Sequence, residues 1–289
     1  MEIRGDTKVL GIIGYPVEHS LSPVIHNAAL KELKLNCVYV AFPVNPEKLK
    51  EAIEGIKALN VAGVNVTIPH KVKVMDYLDE ISQEAAAIGA VNTIVNEGGR
   101  LIGFNTDASG FKDALYRIAG VDLSGKRVLV LGAGGAARAV VGQCLLSGAS
   151  SIIVSNRTKA RAQELVLHFK NAGMGSNISI IEWGKQYWRQ VAARVDIIAN
   201  TAGAGQKDDL GLELEIPWDD LDKNTVFFDA VYGPGSTRLL KEAESRGYLT
   251  VPGKFMLLYQ GVEAFKLWTG LEAPLEVMEA ALDRFLKGG

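Results

Sequence analysis

The sequence predicts an α/β protein of two domains, one with a mixed sheet and one with a doubly wound parallel sheet. The length of 289 residues is about twice that of a typical domain. Short apolar runs alternate with helical patterns along most of the chain, as they do in α/β folds. A glycine-rich turn, Gly132 to Gly135, follows one such run and opens a helical pattern.

The composition excludes several classes of protein. With 48% hydrophobic and 22% charged residues, the chain is typical of a globular protein with a full core. The 31 basic and 33 acidic residues leave no broad basic surface for nucleic acid. No apolar stretch resembles a membrane span of about 20 residues, and the start, Met1-Glu2-Ile3-Arg4-Gly5-Asp6, is unlike a signal peptide. We expect a cytoplasmic protein without a nucleic-acid or membrane partner.

The two cysteines, Cys37 and Cys144, both lie in apolar runs. We expect them to be buried free thiols, as in a reducing compartment. A redox role for Cys144 is the alternative, but its apolar helix favours burial.

Up to Phe104 the chain alternates between strand and helix patterns. Strands are predicted at residues 9–13, 37–42, 64–68, 90–95 and 101–104. The first helix is expected to have Ser22 as its N-cap and Pro23 at its first position. A second helix opens at Asn45-Pro46, Ser82 caps a third, and residues 96–99 are typical of a tight turn. This alternation predicts an α/β unit with a mixed sheet.

A second pattern starts near Asp107 with a helix that carries Phe111, Leu115 and Ile118 on one side. Six strands are predicted at 127–131, 151–155, 178–181, 195–199, 226–228 and 248–251, with helices at 136–146, 160–171 and 237–246. This repetition predicts a doubly wound parallel sheet. Two last helices, 255–268 and 274–286, have no strand after them, and we expect them to pack back on the first domain.

The segment from Val128 to Arg138 combines an apolar strand, a glycine turn and a helix in the spacing G-x-G-x-x-A. Gly132 allows the sharp turn, Gly134 lets the backbone approach a pyrophosphate, and Ala137 permits close packing of helix on strand. Free N–H groups at the start of the helix would face the anion. We predict a dinucleotide site of the Rossmann type, with a glycine-rich packing turn as the alternative.

The residues after the next strand distinguish NADP from NAD. An NAD site usually has an acid there to bind the ribose 2′-hydroxyl, but Asn156-Arg157-Thr158 has none. Arg157 can pair with a 2′-phosphate through two hydrogen bonds and stack on the adenine, and its two neighbours can add hydrogen bonds. The predicted cofactor is therefore NADP. We interpret Lys159 and Arg161 as a solvated helix face.

Polar clusters interrupt the ends of the apolar strands in the first domain, where ligands of α/β sheets bind. The clusters are Ser20-Leu21-Ser22, Asn65-Val66-Thr67-Ile68-Pro69-His70-Lys71, Val91-Asn92-Thr93 and Asn105-Thr106-Asp107. Their hydroxyls, amides, amine and carboxylate suit a small polyhydroxy acid. We expect neither a metal site nor Ser-His-Asp catalysis, because no cluster has metal-ligand spacing and no histidine follows a nucleophile motif.

Lys71 and Asp107 are the amine and carboxylate best suited to proton transfer. Burial in a dry cleft favours the neutral amine, which exchanges a proton near neutral pH, whereas an adjacent carboxylate favours the ammonium. The spacing does not decide between these effects. A surface lysine and an aspartate at a helix start are the alternative.

These clusters belong to a longer ordered set of motifs. The set is Gly14-Tyr15-Pro16-Val17-Glu18-His19-Ser20-Leu21-Ser22-Pro23, Asn65 to Lys71, Gly89-Ala90-Val91-Asn92-Thr93, Gly103-Phe104-Asn105-Thr106-Asp107, the Gly132 turn, Asn156-Arg157-Thr158 and Gln260-Gly261. With these motifs the chain resembles the shikimate dehydrogenase family nearly from end to end. The resemblance implies an oxidoreductase that interconverts 3-dehydroshikimate and shikimate with NADP, in chorismate and aromatic amino-acid biosynthesis.

The resemblance also implies a division of the chain. Residues 1–107 with 254–289 would form the substrate-binding and catalytic domain, and 108–253 the NADP-binding Rossmann domain. The active site would lie in the cleft between them.

Individual roles follow from the same resemblance. Lys71 and Asp107 would be the catalytic pair and would contact the substrate. The other substrate-binding residues would be Ser20 and Ser22 for the carboxylate, Tyr232 near it, Thr67, Asn92 and Gln260 for the ring hydroxyls, and Asn65. NADP would be bound by Gly132, Ala133, Gly134, Gly135, Ala136, Asn156, Arg157, Thr158, Thr201, Ala202, Gly253 and Met256.

The chain departs from the family pattern at Gly233, Arg238 and Lys254. The family usually has Asn at the first position, Pro at the second and Leu at the third, where Leu is followed by a small residue in place of Phe255. These changes lie in the segments expected on the nicotinamide side of the cleft, so local cofactor contacts there are expected to differ.

Two alternatives remain at this point. One is a quinate/shikimate dehydrogenase that uses NAD, against which the missing acid near Arg157 argues. The other is a non-catalytic NADP-sensing regulator, which would not need both Lys71 and Asp107. We expect a small-molecule substrate and leave open a monomer or a homodimer.

Overall fold

The computed structural model describes residues 2–203 and 214–288. Its contacts divide the chain into two compact units, Met1–Thr106 with Leu257–Gly289 and Asp107–Met256. Each unit contains one six-stranded sheet, as far as the described residues show. No helix in the described ranges is long and apolar enough to cross a membrane.

The first unit is built on a mixed sheet, which confirms the prediction. Its strands are β1 (Lys8–Gly14), β2 (Cys37–Pro43), β3 (Gly63–Val66), β4 (Glu80–Ile81), β5 (Thr93–Glu97) and β6 (Arg100–Phe104). They lie in the order β2-β1-β3-β5-β6-β4. Strand β1 pairs parallel with β2 and β3, and β4 pairs parallel with β6, whereas β5 is antiparallel to both β3 and β6.

Side-chain alternation along the strands gives this sheet two different faces. The first helices are α1 (Ser22–Glu32), α2 (Leu49–Ala58) and α3 (Gln83–Ile88). Val64 and Val66 of β3 belong to one apolar cluster with Ile53 of α2. Asn65 lies between them on the opposite face, where it bonds to Tyr39, whose ring stacks on His26 of α1 at a centroid distance of 4.5 Å. One face is therefore an apolar core, and the other holds buried polar groups.

The second unit is a doubly wound parallel sheet, as predicted. Its strands are β7 (Arg127–Leu131), β8 (Ser151–Ser155), β9 (Ile178–Ile180), β10 (Ile197–Asn200), β11 (Val226–Asp229) and β12 (Leu249–Pro252). Its helices are α4 (Thr106–Ala119), α5 (Gly135–Leu146), α6 (Lys159–Asn171), α7 (Lys185–Ala192) and α8 (Arg238–Ser245). The order β9-β8-β7-β10-β11-β12 is the Rossmann order. Phe227 packs with Trp188 of α7, and Phe228 meets Phe111 of α4 on the other face.

Two helices, α9 (Gly253–Thr269) and α10 (Leu275–Gly288), close the chain. The indole Nε1 of Trp268 in α9 donates to the carbonyl of Ile94 in β5 at 2.9 Å. Gly261 lies close to α1, because a Cβ there would lie 2.7 Å from the terminal methyl group of Ile25. From Leu257 onward these helices therefore belong to the first unit.

The predicted cap of α1 is wrong. Leu21 is the N-cap, and the helix begins at Ser22 without a capping side chain. The Ser22 side chain is instead buried and interacts electrostatically with the Tyr39 hydroxyl. By contrast, the predicted cap at Ser82 is confirmed, because its hydroxyl accepts from the N–H of Ala85.

Two strands predicted from apolar runs, 64–68 and 90–95, have different ends in the structure. The run 64–68 ends as a strand at Val66, although Thr67 and Ile68 still form backbone hydrogen bonds with Ile13 and Tyr15. The run 90–95 becomes a strand only at Thr93, because Ala90 and Val91 are apolar through burial in the preceding loop. Strand β4 and helix α7 were not predicted, since each is too short to show a clear period.

His26 should make the stability of the protein depend on pH. It is fully buried with neither ring nitrogen hydrogen-bonded, and burial lowers its pKa to about 3. Below its unfolded pKa of about 6.5 the unfolded chain binds a proton that the folded protein excludes, so stability falls as the pH falls. We expect this residue to cost about 2 kcal/mol of unfolding free energy at pH 5 relative to pH 8.

Urea denaturation at both pH values tests this expectation. His26→Phe keeps an aromatic ring against Tyr39 and should remove this pH dependence, whereas the exposed control His19→Gln should retain it. The prediction would be wrong if the wild type and His26→Phe lost the same unfolding free energy between pH 8 and pH 5.

Candidate active site

Buried polar side chains of the first unit form one connected network. Strands β3 and β6 run in the same direction, because each is antiparallel to β5, so the chain leaves both strands at the same edge of the sheet. Polar residues gather at this edge and on the adjoining helices. They are Ser22, Tyr39, Asn65, Asn92, Thr93, Thr106 and Gln260.

Tyr39 joins α1 to β3 within this network. Its hydroxyl donates to Oδ1 of Asn65 at 2.6 Å and also interacts electrostatically with the Ser22 side chain. Burial raises the pKa of Tyr39 well above its ordinary value, so the hydroxyl keeps its proton. The Nδ2 group of Asn65 donates to Thr93 Oγ1 at 3.1 Å and to the carbonyl of Asn92 at 3.2 Å. Both ends of the Asn65 amide are therefore held by the protein.

Asn92 connects the same network to the start of α4 and to α9. Its Oδ1 accepts from the N–H of Thr106 at 2.6 Å, and its Nδ2 donates to Thr106 Oγ1 at 3.0 Å and to Gln260 Oε1 at 3.4 Å. The amide of Gln260 donates in turn to the carbonyl of Leu257 at 2.8 Å. These contacts fix which atom of each amide faces which neighbour.

The predicted residues around this network are less buried. Ser20, Thr67 and Lys71 are half-buried. Ser20 Oγ accepts from the N–H of Ser22 at 3.3 Å, which ties it to the start of α1. The carbonyl of Lys71 accepts from the N–H of Val91 at 2.8 Å, so its backbone is anchored to the segment that leads into β5.

Asp107 follows Thr106 directly and lies buried in the first turn of α4. Its charge reaches Tyr232, another predicted residue of the second unit. Loss of water around the hydroxyl and the Asp107 carboxylate raise the pKa of Tyr232 to about 12, although 37% of this residue is exposed. At neutral pH the Tyr232 hydroxyl is therefore protonated and can donate a hydrogen bond.

The glycine turn after β7 has the geometry that a dinucleotide requires. Gly132 has φ 116°, and a Cβ there would lie 2.4 Å from Thr201 Oγ1. Gly134 is the N-cap of α5, and a Cβ there would meet nothing within 4 Å. Within α5, all of which is described, no side chain caps the start and no acid occupies the first turn. The first N–H groups of α5 are thus suited to a phosphate.

The three residues predicted to recognise the 2′-phosphate follow β8. Asn156 Nδ2 donates to the carbonyl of Thr158 at 2.8 Å, which closes the turn around Arg157. Arg157 itself is exposed. Lys159 is exposed and pairs with Glu182 at 2.9 Å, which fits a solvated helix face.

Other predicted cofactor residues follow β10 and β12. The N–H and Oγ1 of Thr201 both donate to the carbonyl of Leu131, at 2.7 and 2.8 Å, so this loop is fixed against the end of β7. Gly253 begins α9 where a Cβ would lie 2.5 Å from the carbonyl oxygen of Asp229. Met256 is buried within the first turn of α9.

The three departures from the family pattern lie in the same region of the second unit. Gly233 forms an isolated antiparallel bridge with Gly235. Arg238 is the exposed first residue of α8. The ammonium of Lys254 lies 4.8 Å from the ring centroid of Phe255.

Tyr39, Thr93 and Thr106 belong to the network but were not among the predicted substrate residues. Thr93 and Thr106 could have been predicted from the sequence, because they lie beside predicted residues in polar clusters at strand ends. Tyr39 could not have been predicted in this way, since an aromatic residue inside an apolar strand normally indicates core packing.

Three family models match successive parts of the chain. They are a shikimate dehydrogenase substrate binding domain at residues 12–94, a shikimate/quinate 5-dehydrogenase at 114–201 and a shikimate 5′-dehydrogenase C-terminal domain at 256–282.

The chain is also similar over its full length to individual proteins. The NADP(+) shikimate dehydrogenase of Desulforamulus reducens is 45% identical over 287 residues, which cover 99% of this chain and 98% of the relative. A crystal structure of shikimate dehydrogenase in complex with NADP+ is 43% identical, with a TM-score of 0.85 over 99% of this chain and 98% of the solved one. The Thermus thermophilus enzyme, solved with NADP(H) and shikimate, is 36% identical, with a TM-score of 0.82 over 96% and 99%.

The glycines at 132 and 134 should respond differently to alanine. Gly132→Ala places a side chain at positive φ and against Thr201, so we expect a loss of about 1–3 kcal/mol of stability or more. Gly134→Ala meets open space, so the fold should be unaffected, while the new methyl group should hinder a phosphate and weaken dinucleotide binding at least about tenfold.

Thermal denaturation and fluorescence titration with NADPH measure the two effects separately. Unchanged NADPH affinity in a stable Gly134→Ala protein would show that no phosphate approaches this backbone.

Proposed function

Because this chain belongs to the shikimate dehydrogenase family, we propose that it catalyses the reversible NADP-dependent reduction of 3-dehydroshikimate to shikimate, with Lys71 and Asp107 as its catalytic pair. The observation that carries the substrate assignment is the buried network of hydroxyls and amides at the edge where β3 and β6 end. Such groups recognise a ring that carries several hydroxyls. The reaction serves chorismate and aromatic amino-acid biosynthesis.

The unit of Met1–Thr106 with Leu257–Gly289 supplies the proposed substrate contacts, apart from those of Asp107 and Tyr232. Ser20 and Ser22 are proposed to bind the substrate carboxylate through their hydroxyls. Thr67, Asn92 and Gln260 are proposed to bind the ring hydroxyls. Asn65 is held at both ends of its amide, so its main part in this site is to orient its neighbours.

The proposed domains are 1–107 with 254–289 for substrate and 108–253 for NADP. The Gly132 turn fits a dinucleotide because its backbone is open at Gly134 and the start of α5 lacks a capping side chain. Arg157 is the exposed guanidinium proposed for the 2′-phosphate. When bound, the nicotinamide supplies or accepts the hydride at C3 of the substrate.

Lys71 moves the proton in this proposal. Negative charge develops on the C3 oxygen during reduction, and the Lys71 ammonium stabilises it and delivers a proton. In the oxidative direction the neutral amine removes the hydroxyl proton. Asp107 is proposed to orient the amine. Tyr232, protonated at neutral pH, is proposed to donate a hydrogen bond near the substrate carboxylate.

The cytoplasm remains the proposed location, supported by Cys37 and Cys144, which are both free and buried. Burial raises the pKa of the Cys144 thiol far above its ordinary value, which favours the inert thiol over a redox role. A monomer or a homodimer that binds only small molecules remains the proposed assembly.

Replacement of the proposed proton donor tests the mechanism. Lys71→Ala should lower kcat about 10²–10⁴-fold, because the proton transfer is lost, while the affinity for shikimate changes little. The measurement is NADPH formation from shikimate by the purified protein. The control is Lys73→Ala, an exposed lysine two residues further on that pairs with Asp76 and should leave kcat unchanged. An active Lys71→Ala protein would remove this residue from the mechanism.

The same assay separates the proposed activity from its alternatives. A quinate/shikimate dehydrogenase that uses NAD would turn over quinate with NAD. A non-catalytic NADP-binding regulator would bind NADPH and form no product from either substrate.

Arg157 should determine the preference for NADP over NAD. Arg157→Ala removes the guanidinium proposed to pair with the 2′-phosphate, so the Kd of NADP should rise at least about tenfold and that of NAD should change little. Lys159→Ala is the matched control, because Lys159 is already paired with Glu182. Equal weakening of both cofactors by Arg157→Ala would refute the role.

A further inference from the structure

Asp229 is a buried carboxylate with no part in the roles assigned above. It is the last residue of β11 and is 0% exposed. It accepts hydrogen bonds from Asn200 Nδ2 at 2.9 Å, from the N–H of Val231 at 3.1 Å and from Thr237 Oγ1 at 2.7 Å. A carboxylate is costly to bury, and burial raises the pKa of Asp229. Its donors lie on different segments, so the carboxylate joins them.

The register of the parallel sheet places Asp229 where the cofactor segments begin. Five neighbouring strands end in one row of paired residues, Ser155, Leu131, Asn200, Asp229 and Pro252. Every segment proposed to bind NADP starts immediately after a member of this row. The segments begin at Asn156, Gly132, Thr201 and Gly253.

The Asp229 side chain bonds to Asn200 at the end of β10 and to Val231 after β11, and the Asp229 backbone lies against Gly253 after β12. Asn200, which Asp229 orients, accepts the N–H of Ala202 at 3.1 Å through Oδ1. The bond to Val231 fixes the residue immediately before Tyr232. Gly253 packs on the Asp229 backbone, because a Cβ at 253 would lie 2.5 Å from the Asp229 carbonyl oxygen.

Thr237 extends this arrangement to α8. Its hydroxyl donates to Asp229 and accepts from the N–H of Leu240, so the helix cap and the carboxylate share one side chain. The segment 230–237, which contains Tyr232, is therefore held to Asp229 at both of its ends.

We propose that Asp229 is a positioning residue for NADP. Its carboxylate holds the loop after β10, through Asn200, and the segment 230–237 after β11 in the arrangement that binds the cofactor, without touching the cofactor itself. Three donors aimed at one buried carboxyl group favour a single geometry, because each hydrogen bond restricts the position of the group for the others. The proposal rests on the NADP site described under the proposed function.

Asp229→Asn tests this role in the full-length protein. The change keeps the size of the side chain but replaces an acceptor oxygen by an NH₂ donor. Asp196→Asn is the matched control. Asp196 lies before β10, at the opposite edge of the same sheet, and also accepts three hydrogen bonds, all from Arg127 at 2.8–3.0 Å.

Three measurements are needed for each protein: the Kd of NADPH by fluorescence titration, the Kd of shikimate by calorimetry, and Tm. We expect Asp229→Asn to raise the Kd of NADPH about tenfold and that of shikimate by less, because Tyr232 is the one proposed substrate contact on the segments that Asp229 holds. Asp196→Asn should lower Tm without altering either Kd. Unchanged NADPH affinity in Asp229→Asn, or equal weakening in both variants, would overturn the proposal.

Thr237 provides a second test if Asp229→Asn does not fold. Thr237→Val removes the hydroxyl that bonds to Asp229 and should weaken NADPH binding, whereas Thr237→Ser keeps it and should restore affinity. Equal NADPH affinity in these two variants would overturn the proposal. A wild type that binds NADPH but does not oxidise shikimate would refute the proposed function alone, while one that does not bind NADPH would refute both.

Discussion

A polar group that is buried must find its hydrogen-bond partner inside the protein, and this constraint organises both units. In the first unit it links Tyr39, Asn65, Asn92 and Gln260 into one network at the edge of the mixed sheet. An unpaired amide or hydroxyl there would cost about 1–3 kcal/mol, so each partner restricts the others to one orientation. The stability of the sheet edge and the arrangement of the proposed substrate contacts thus have the same cause.

In the second unit the same constraint applies to the buried carboxyl group of Asp229. Asn200 and Asp229 are neighbours in the last row of the parallel sheet, and their side chains bond to each other and to the loops that follow. The glycine turn depends on the absence of side chains. Gly132 lets the backbone pass close to Thr201, and Gly134 leaves open space beside the start of α5. The hydrogen bonds of Asn200 and Asp229 hold the loops in place, and the absence of side chains at Gly132 and Gly134 leaves room for the proposed dinucleotide.

His26 is an exception to the rule, because neither of its nitrogens has a partner. Its ring stacks on Tyr39 and lies 5.2 Å from Trp268, so it contributes to the packing as an aromatic group. This packing keeps Tyr39 in place while its hydroxyl serves the network. Burying His26 without hydrogen-bond partners lowers the stability of the fold, but its ring helps to hold Tyr39 and therefore the hydrogen bonds that Tyr39 makes.

Much of the architecture follows from local patterns. The period of the apolar residues predicted the strands, and β7 and β8 begin and end where expected. Elements bounded by capping or turn residues, such as α3 after Ser82, were predicted well because the cap is a local interaction. The ends of β3 and β5 were misplaced because apolar residues mark burial, which loops share with strands.

The sequence by itself determined the fold class, the glycine turn and the positions of polar residues at the strand ends, because each depends on neighbours along the chain. Only the tertiary structure decided that Tyr39 bonds to Asn65, that Ser22 does not cap α1, and that Asp229 joins Asn200 to Thr237. The partners in these bonds are brought together by strand register and helix packing. A buried hydrogen bond between residues far apart in the chain leaves no periodic trace in the sequence, so it becomes visible only once the sheets have formed.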